Sequence, residues 1–196
     1  MVSPNSDPIV AFRDWFSDAQ QAEFKEPSAM TLATVSATGR PSARMVLLKD
    51  FDENGFVFFT NYESRKGQEL AASPWVSLVF WWDKLYRQVR IEGSVTTVDA
   101  SESDVYFATR PRGSQISAIA SPQSTVIANR ELLEHRVREL DDEFGDRAVP
   151  RPDYWGGYCV APQQIEFWQG QENRLHDRWL YRRDATGSWL IERLAP

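Results

Sequence analysis

The chain of 196 residues has a single cysteine, Cys159, and only two histidines, His135 and His176. One cysteine cannot form an intrachain disulfide, and so few cysteines and histidines leave no ligand set for a structural zinc site. No apolar run reaches the roughly 18 residues that a membrane-spanning helix needs, and no signal peptide is recognisable. These absences predict a cytoplasmic protein with neither a metal nor a membrane partner.

An excess of positive charge is also missing. The net charge is −6 and the isoelectric point about 5.0, which argues against a general nucleic-acid binder. The sequence contains no GxGxxG or P-loop motif, no HExxH, no paired CxxC and no GxSxG. Dinucleotide binding of the Rossmann type, Walker-type ATP hydrolysis, zinc catalysis and serine hydrolysis therefore all lack their characteristic residues.

Aromatic residues, by contrast, are abundant, at 13% of the chain with eight tryptophans. Tryptophan is unfavourable to expose, so we expect stacking surfaces for a planar ligand or for a partner subunit. Against the acidic background, basic residues form four close pairs: Arg44/Lys49, Arg65/Lys66, Arg110/Arg112 and Arg174/Arg178. Small phosphorylated ligands explain such pairs better than a polymer does. Together these features favour a planar, phosphorylated cofactor such as flavin mononucleotide (FMN).

The hydrophobic periodicity predicts a single α+β domain over residues 1–196, mainly β with peripheral helices. Residues 1–6 are expected to be flexible, and Asp7 and Pro8 to begin a helix within 7–26. Strands at 30–35, 42–49 and 56–60 read as an antiparallel meander. Further strands are expected at 75–82, 86–97, 158–161, 164–169, 179–183 and 189–193, with helices after Ser64, Ser101, Ser114 and Asn129. A closed or split antiparallel β-barrel accommodates this order.

Two local patterns indicate phosphate sites. Ser64 as a helix cap places Arg65 and Lys66 in the first helical turn, where the helix dipole disfavours cations unless an anion shares the site. Tyr106 and Arg110, at i and i+4, are expected on one helix face. The segment Arg110-Pro111-Arg112-Gly113-Ser114 then brings two arginines and a serine to the next helix start, an arrangement that can form a phosphate cradle.

Near the end of the chain, Arg174, His176 and Arg178 recur at period two. On an extended strand they would share one face, which is unfavourable unless an anionic or electron-rich group lies opposite. The alternative is a solvated basic edge strand. The preceding aromatic segment, punctuated by Gly170, and the scarcity of histidine favour a ligand site.

Several of these segments resemble the pyridoxine/pyridoxamine 5′-phosphate oxidase family, in order and at unbroken spacing from about Asp7 to Pro196. They are residues 44–49 (RMVLLK), 59–61 (FTN), 64–66 (SRK), 87–88 (RQ), 110–115 (RPRGSQ), 123–124 (QS), 155–157 (WGG), 166–170 (EFWQG), 174–178 (RLHDR) and 193–196 (RLAP). The resemblance implies a homodimer of split barrels with FMN in clefts at the subunit interface. It also implies oxidation of pyridoxamine and pyridoxine 5′-phosphates by oxygen to pyridoxal 5′-phosphate and hydrogen peroxide.

The resemblance further implies a role for each matched residue. The cofactor-binding residues would be Arg44, Met45, Val46, Leu47, Phe59, Thr60, Arg65, Lys66, Gln88, Gln123, Ser124, Trp168 and Arg178. The substrate phosphate would be held by Lys49, Tyr106, Arg110 and Ser114, while Arg174 and His176 would cover the pyridine ring as catalytic residues. Arginine stays protonated, so Arg174 is expected to act electrostatically and His176 to handle the proton.

The chain departs from the family in two places. An N-terminal segment that folds over the substrate in family members is expected to be missing here, and Phe59 stands where a tyrosine is expected beside the flavin. We therefore predict an intact FMN site and a more open substrate cleft.

Two alternatives stay open. One is a related flavin oxidase acting on reduced phenazine precursors, although Lys49 and the complete Arg-Pro-Arg-Gly-Ser segment favour a phosphorylated pyridine. The other is a non-catalytic carrier of FMN or pyridoxal phosphate, which would be expected to have lost Arg174 or His176.

Overall fold

The computed structural model describes residues 6–196, so the flexible N-terminus expected for residues 1–6 lies, apart from Ser6, outside the described residues. The helices are α1 (Pro8–Gln21), α2 (Arg65–Ala72), α3 (Ala100–Thr109), α4 (Arg112–Ala120) and α5 (Arg130–Phe144). The strands are β1 (Ala29–Val35), β2 (Pro41–Leu47), β3 (Asp50–Asp52), β4 (Gly55–Asn61), β5 (Trp75–Trp82), β6 (Arg87–Thr97), β7 (Trp155–Gln169), β8 (Asp177–Arg183) and β9 (Trp189–Arg193). The expected mainly-β chain with peripheral helices is confirmed.

All strand pairings are antiparallel, in the order β2-β1-β5-β6-β7-β4-β3, with β8 paired to β7 and β9 to β8. The sheet branches at β7, which pairs with β4 over Trp155–Val160 and with β8 over Gln164–Gln169. The expected meander is wrong, because β4 pairs with β3 and β7 and not with β2. Only long-range pairing decides this, since the local turn signals are the same in both arrangements.

Strand β7 is continuous where two short strands were expected. Pro162, which falls between the two expected strands, lies opposite Gly93 at a register shift between Glu92 and Gly93 of β6. A bulge tolerates a proline, which has no amide hydrogen to donate to the ladder. The resulting long strand links the two ends of the sheet.

Helix α1 covers one face of the sheet. Its N-cap is Asp7, whose carboxylate accepts a hydrogen bond from the Ile9 amide at 2.8 Å. The helix ends at Gln21, earlier than the expected 26, because Glu23 adopts a left-handed φ of 55°. Phe12 is fully buried and contacts the Phe56 ring edge-on at 4.9 Å; its truncation to alanine would cost roughly 3–5 kcal/mol.

A second, smaller core lies between helices α3, α4 and α5 and the start of β7. It contains Phe107, Ile116, Leu140 and Trp155. This cluster positions the functional site, because one edge of Trp155 is packed in it, with the Phe107 ring 5.1 Å away. The expected cap Ser101 is wrong by two residues, since Asp99 occupies the N-cap position of α3.

Candidate active site

A cleft of about 500 Å³ opens between β2, β4 and the region where α3 gives way to α4. Eleven of the predicted site residues line it: Met45, Val46, Leu47, Phe59, Thr60, Lys66 and Gln123 of the cofactor set, and Lys49, Tyr106, Arg110 and Ser114 of the substrate set. Three of these are cations, and no aspartate or glutamate is among the described lining residues. The cleft is therefore suited to an anionic ligand.

One wall of the cleft is aromatic. The Phe59 ring stacks on Tyr106 with centroids 4.0 Å apart, and Trp155 lies nearly parallel to Phe59 at 5.6 Å. Phe59 pairs across the sheet with Gly157, where a Cβ atom would lie 2.8 Å from the ring. A glycine is needed there, which gives a physical reason for the second glycine of the Trp155-Gly156-Gly157 segment.

Arg110 places a cation against this wall. It is the C-cap residue of α3, with extended backbone, and its guanidinium lies 4.5 Å from the centre of the Trp155 ring. Its Nη1 atom is buried without a hydrogen-bond partner in the described part of the chain, and burial lowers the pKa of the guanidinium. An unpaired buried donor is unfavourable, and a bound anion would satisfy it.

Arg112, included in the predicted phosphate cradle, lies elsewhere. Its Nε donates to Asp141 at 3.1 Å, and its terminal nitrogens donate to the carbonyls of Gly145 and Arg147. It therefore ties α4 to the end of α5. The backbone turn at Pro111 sends the two arginines in different directions, which spacing alone does not reveal.

Lys66 connects the cleft to the loop after α4. Its Nζ donates to the Thr60 hydroxyl at 3.1 Å and to Gln123 Oε1 at 2.7 Å. Burial, together with the charge of Arg44, lowers the pKa of Lys66 to about 8. Ser124 follows Gln123 with a φ of 72° and is exposed beside the cleft without lining it.

Arg44 and Arg65 meet behind the cleft at a buried glutamate, Glu69, which is 6% exposed. Arg44 Nη2 lies 3.0 Å and Arg65 Nε 2.9 Å from its carboxylate oxygens. Sequence reasoning missed Glu69. The available signal was its position four residues after Arg65 on a predicted helix.

The remaining predicted residues form a second group at the far end of β7. Gln88 pairs with Trp168 and Trp168 with Arg178 across adjacent strands, and the His176 ring lies 4.5 Å from the indole of Trp168. The buried carboxylate of Glu166 accepts from Arg178 Nε at 2.7 Å. Arg178 Nη1 also donates to the carbonyl of Ala195, close to the end of the chain.

The expected common strand face for Arg174, His176 and Arg178 is wrong, because β8 begins only at Asp177. Arg174 closes a 3-10 turn and has a φ of 61°, a left-handed conformation that is uncommon for a residue with a long side chain. Its side chain is exposed. Such outliers often occur in ligand sites, where neighbouring structure maintains them.

His176 accepts a hydrogen bond at Nδ1 from the Gln171 backbone amide, at 3.1 Å. This contact assigns the lone pair to Nδ1 and the ring proton to Nε2 in the neutral imidazole. In this arrangement His176 offers a hydrogen-bond donor at Nε2. The expected proton-accepting role would require the contact with Gln171 to be lost.

The two groups are far apart in one chain. Phe59 pairs with Gly157 and Gln88 with Trp168, eleven residues further along β7. At about 3.3 Å per residue, this separation is on the order of 35 Å along the strand. Within the described chain the predicted site residues thus fall into two separate groups: those at the cleft, and the Trp168 group, which comprises Gln88, Trp168, Arg174, His176 and Arg178.

The cleft fits the FMN predicted from the sequence. Lys66 and the neighbouring arginines provide cations for a phosphate, and Phe59 provides an aromatic surface. In the described chain β2 pairs only with β1, so Met45, Val46 and Leu47 present a free strand edge whose backbone groups can bond the rim of a heteroaromatic ring. Over residues 6–196, no helix is long and apolar enough to cross a bilayer.

Comparison with known proteins identifies the family to which the chain is similar. Residues 16–143 match the family described as pyridoxamine 5′-phosphate oxidase, and residues 155–196 match the pyridoxine 5′-phosphate oxidase C-terminal dimerisation region. A pyridoxine/pyridoxamine 5′-phosphate oxidase from Gloeothece citriformis is 59% identical over 98% of this chain and 90% of its own length. One from Salinibacter ruber is 56% identical over 97% and 89% of the two chains.

Solved structures share the fold. The protein PhzG from Burkholderia lata, in complex with tetrahydrophenazine-1-carboxylic acid, superimposes with a TM-score of 0.94 at 34% identity, covering 99% of this chain and 95% of its own. A pyridoxamine 5′-phosphate oxidase-related, FMN-binding protein from Nostoc punctiforme has a TM-score of 0.75 at 18% identity, covering 94% and 97%. The split-barrel expectation is thereby confirmed.

Proposed function

The chain belongs to the pyridoxamine 5′-phosphate oxidase family, and we propose that it oxidises pyridoxamine and pyridoxine 5′-phosphates with oxygen, using FMN. The observation that carries the substrate assignment is the unpaired, buried Nη1 of Arg110 in a cleft whose described lining has three cations and no carboxylate. A phosphate ester supplies the missing acceptor and nearly two negative charges.

The overall reaction balances as follows. Pyridoxamine 5′-phosphate, oxygen and water give pyridoxal 5′-phosphate, ammonia and hydrogen peroxide; the alcohol substrate needs no water and releases no ammonia. The substrate loses one hydrogen of its 4′ carbon with the electron pair, and one proton from its amine or hydroxyl. For the amine this gives an imine, which water hydrolyses to the aldehyde and ammonia. FMN, when bound, supplies the two-electron acceptor that oxygen reoxidises.

Lys49, Tyr106, Arg110 and Ser114 are the proposed substrate residues. Arg110 and Lys49 supply charge, while the hydroxyls of Tyr106 and Ser114 add donors from α3 and α4. Because the Arg110 side chain already packs on the Trp155 ring, little conformational entropy is lost when it binds a phosphate. The phosphate thereby anchors the substrate and orients its reacting carbon.

The proposed cofactor residues in the cleft are Met45, Val46, Leu47, Phe59, Thr60, Lys66 and Gln123, with Arg44, Arg65 and Ser124 beside them. The cations would hold the FMN phosphate, and the β2 edge and the Phe59 surface its ring system. Gln123 also limits the freedom of the Lys66 amine, since the two are hydrogen-bonded.

A complete site needs a second protomer. The dimerisation region, residues 155–196, contains the whole Trp168 group except Gln88. We propose that the cleft of one protomer is completed by the Trp168 group of its partner, with FMN between them. This explains why residues resembling one family site lie in two distant groups within one chain.

Within the Trp168 group, Arg174 and His176 are the proposed catalytic residues. Arg174 would stabilise developing negative charge, because its guanidinium remains protonated. His176 would orient the substrate through the Nε2–H donor, since its Nδ1 is occupied by Gln171.

A phenazine-type oxidation is the second candidate, favoured by the TM-score of 0.94 to PhzG. The ligand named there is a carboxylic acid, which needs fewer cationic contacts than a phosphate dianion. The three cations of the cleft, and 59% against 34% identity, favour the phosphorylated pyridine.

The test is to load the purified protein with FMN, add pyridoxamine 5′-phosphate in air, and follow pyridoxal phosphate and peroxide together. We expect pyridoxal phosphate and peroxide to form in equal amounts. Unphosphorylated pyridoxamine and tetrahydrophenazine-1-carboxylate are tested in parallel as alternative substrates. Turnover of the phenazine but not of the phosphate ester would replace the proposed substrate. If the protein binds FMN but oxidises neither the phosphate ester nor the phenazine, the result would support a non-catalytic carrier.

A further inference from the structure

Glu69 is the centre of a buried polar cluster behind the cleft. Its Oε2 atom accepts hydrogen bonds from Thr34 at 2.5 Å, Ser42 at 2.6 Å and Arg44 at 3.0 Å, while Oε1 accepts from Arg65 at 2.9 Å. These bonds join α2 to β1 and β2, two strands that precede it in the chain. Three donors therefore meet Oε2 and one meets Oε1, so both oxygens of this buried carboxylate are paired inside the protein.

The two arginines that share Glu69 are used differently. Arg44 directs Nη1 to the Leu32 carbonyl and the Thr34 hydroxyl, and Nη2 to Ser42 and Glu69. Four of its five N–H donors are thus used inside the protein. It contributes charge to the site while its guanidinium stays in place.

Among residues 6–196, Arg65 makes its one side-chain hydrogen bond through Nε, and its side chain is 64% exposed. In the described chain no hydrogen bond uses its Nη1 or Nη2, so the outer edge of the guanidinium is free to make a bidentate contact. Glu69 holds the inner edge of this side chain four residues along the same helix. An exposed arginine without such a contact would sample many rotamers.

The charges of the cluster also match a phosphate. Arg44, Arg65 and Lys66 carry three positive charges and Glu69 one negative charge, which leaves a net charge of two. Burial would raise the pKa of Glu69, but hydrogen bonds from Ser42, Thr34, Arg65 and Arg44 outweigh it and lower the pKa to about 2. The carboxylate is therefore ionised throughout the physiological range.

We propose that Glu69 is a positioning residue for the FMN phosphate: it holds Arg65 with its Nη1 and Nη2 edge directed outward and Arg44 fixed behind it. This inference rests on the proposed function, because the phosphate is that of the proposed cofactor. For the change in FMN affinity on removal of Glu69, the proposal predicts the opposite sign to the one expected from charge alone. Removing a carboxylate should strengthen anion binding by electrostatics, whereas removing the contact that positions Arg65 should weaken it.

The experiment compares FMN with riboflavin, which has the same ring system but no phosphate, by flavin fluorescence during titration of the apoprotein. For Glu69→Ala we expect FMN affinity to fall about 10- to 100-fold while riboflavin affinity changes less than about twofold. For Glu69→Gln, which keeps one acceptor oxygen, FMN affinity should fall about 3- to 10-fold. Glu134→Gln is the matched control, because Glu134 pairs with Arg130 at the same i,i+4 spacing on α5.

The double variant with Arg65→Ala gives a second readout. If Glu69 acts through Arg65, Glu69→Gln should cause no further loss of FMN preference in the Arg65→Ala background. Parallel loss of FMN and riboflavin affinity, or a gain in FMN affinity, would overturn the inference; Glu69→Gln decides it if Glu69→Ala does not fold. A wild-type protein without preference for FMN over riboflavin would overturn the proposed cofactor, and the inference with it.

Discussion

The guanidinium carbon of Arg110 lies over the indole of Trp155, 4.5 Å from the ring centre, with Nη1 buried and unpaired among the described residues. Trp155 is itself fixed between Phe107 and Phe59. The small helical core thus sets the position of a cation that the cleft cannot neutralise. An isolated buried donor of this kind is unfavourable unless a ligand completes it.

Replacing Arg110 should weaken the binding of phosphorylated substrate. For Arg110→Ala we expect kcat/KM for pyridoxamine 5′-phosphate to fall about 10- to 100-fold, mainly through KM, since a hydrogen bond to a charged group contributes roughly 1.5–3 kcal/mol. For Arg110→Lys, kcat/KM should fall less, because lysine keeps the positive charge but lacks the planar guanidinium that can donate two parallel hydrogen bonds. Steady-state kinetics measures both.

Arg112→Ala is the matched control for this prediction. Its contacts are with Asp141 and two carbonyls at the end of α5, so it should lower the melting temperature and leave KM unchanged. If Arg112→Ala raised KM as much as Arg110→Ala does, the proposal that Arg110 and not Arg112 binds the substrate phosphate would be contradicted.

The affinity for FMN should decrease above about pH 8. Burial and the charge of Arg44 lower the pKa of Lys66 to about 8, and a bound phosphate would raise it by favouring the charged amine. Binding therefore takes up a proton above pH 8, and affinity should fall by up to about tenfold per pH unit until the pH reaches the higher pKa of Lys66 in the FMN complex. Below pH 8 the amine is already charged and this dependence disappears.

Fluorescence titrations between pH 7.5 and 9.5 test this dependence. Lys66→Arg should flatten it, because a guanidinium stays charged, and riboflavin binding should be flat in both proteins. If FMN affinity in Lys66→Arg showed the same pH dependence as in the wild type, the proton taken up on binding would belong to another group.

Variants of His176 distinguish two roles for this residue, namely hydrogen-bond donation through Nε2 and general-base catalysis. Glutamine can place an amide N–H near the position of Nε2, whereas asparagine reaches only the position of Nδ1. If His176 donates through Nε2, His176→Gln should retain activity within about tenfold and His176→Asn should lose more. The pH profile of kcat should keep its shape in both; loss of its acidic limb in both variants would instead support general-base catalysis by His176.

Mixed dimers test whether two protomers build one site. Arg110→Ala impairs the cleft and Arg178→Ala impairs the Trp168 group, so each homodimer should have low activity. After unfolding and refolding together, half the dimers are mixed and each has one intact site, so activity should recover to about a quarter of the wild-type value. No recovery, with mixed dimers demonstrated by mass spectrometry, would show that each protomer completes its own cleft.

Local signals predicted much of the secondary structure and several site residues. Ser64 caps α2 as expected, with the Gly67 amide donating to its hydroxyl, because capping depends on a few adjacent residues. Asn129 caps α5 in the same way. The course of β7 through Pro162 was not predictable, since the bulge that tolerates the proline lies on another strand.

Two arginines show the same limit at the site. Arg110 and Arg112 are equivalent in a phosphate-cradle pattern, yet one faces Trp155 and the other the end of α5. Glu69 contacts Thr34 and Ser42, 35 and 27 residues away, so no local window contains the cluster.

The sequence by itself predicted most of the strands, most helix starts and the family, because these depend on short-range periodicity, capping and ordered motifs. Only the tertiary structure decided that the predicted site residues divide into a cleft and a Trp168 group, and that Glu69 joins two arginines. Those outcomes depend on which strands pair and which buried donors and acceptors meet. Such pairings are selected by the free energy of the whole fold, to which distant parts of the chain contribute together.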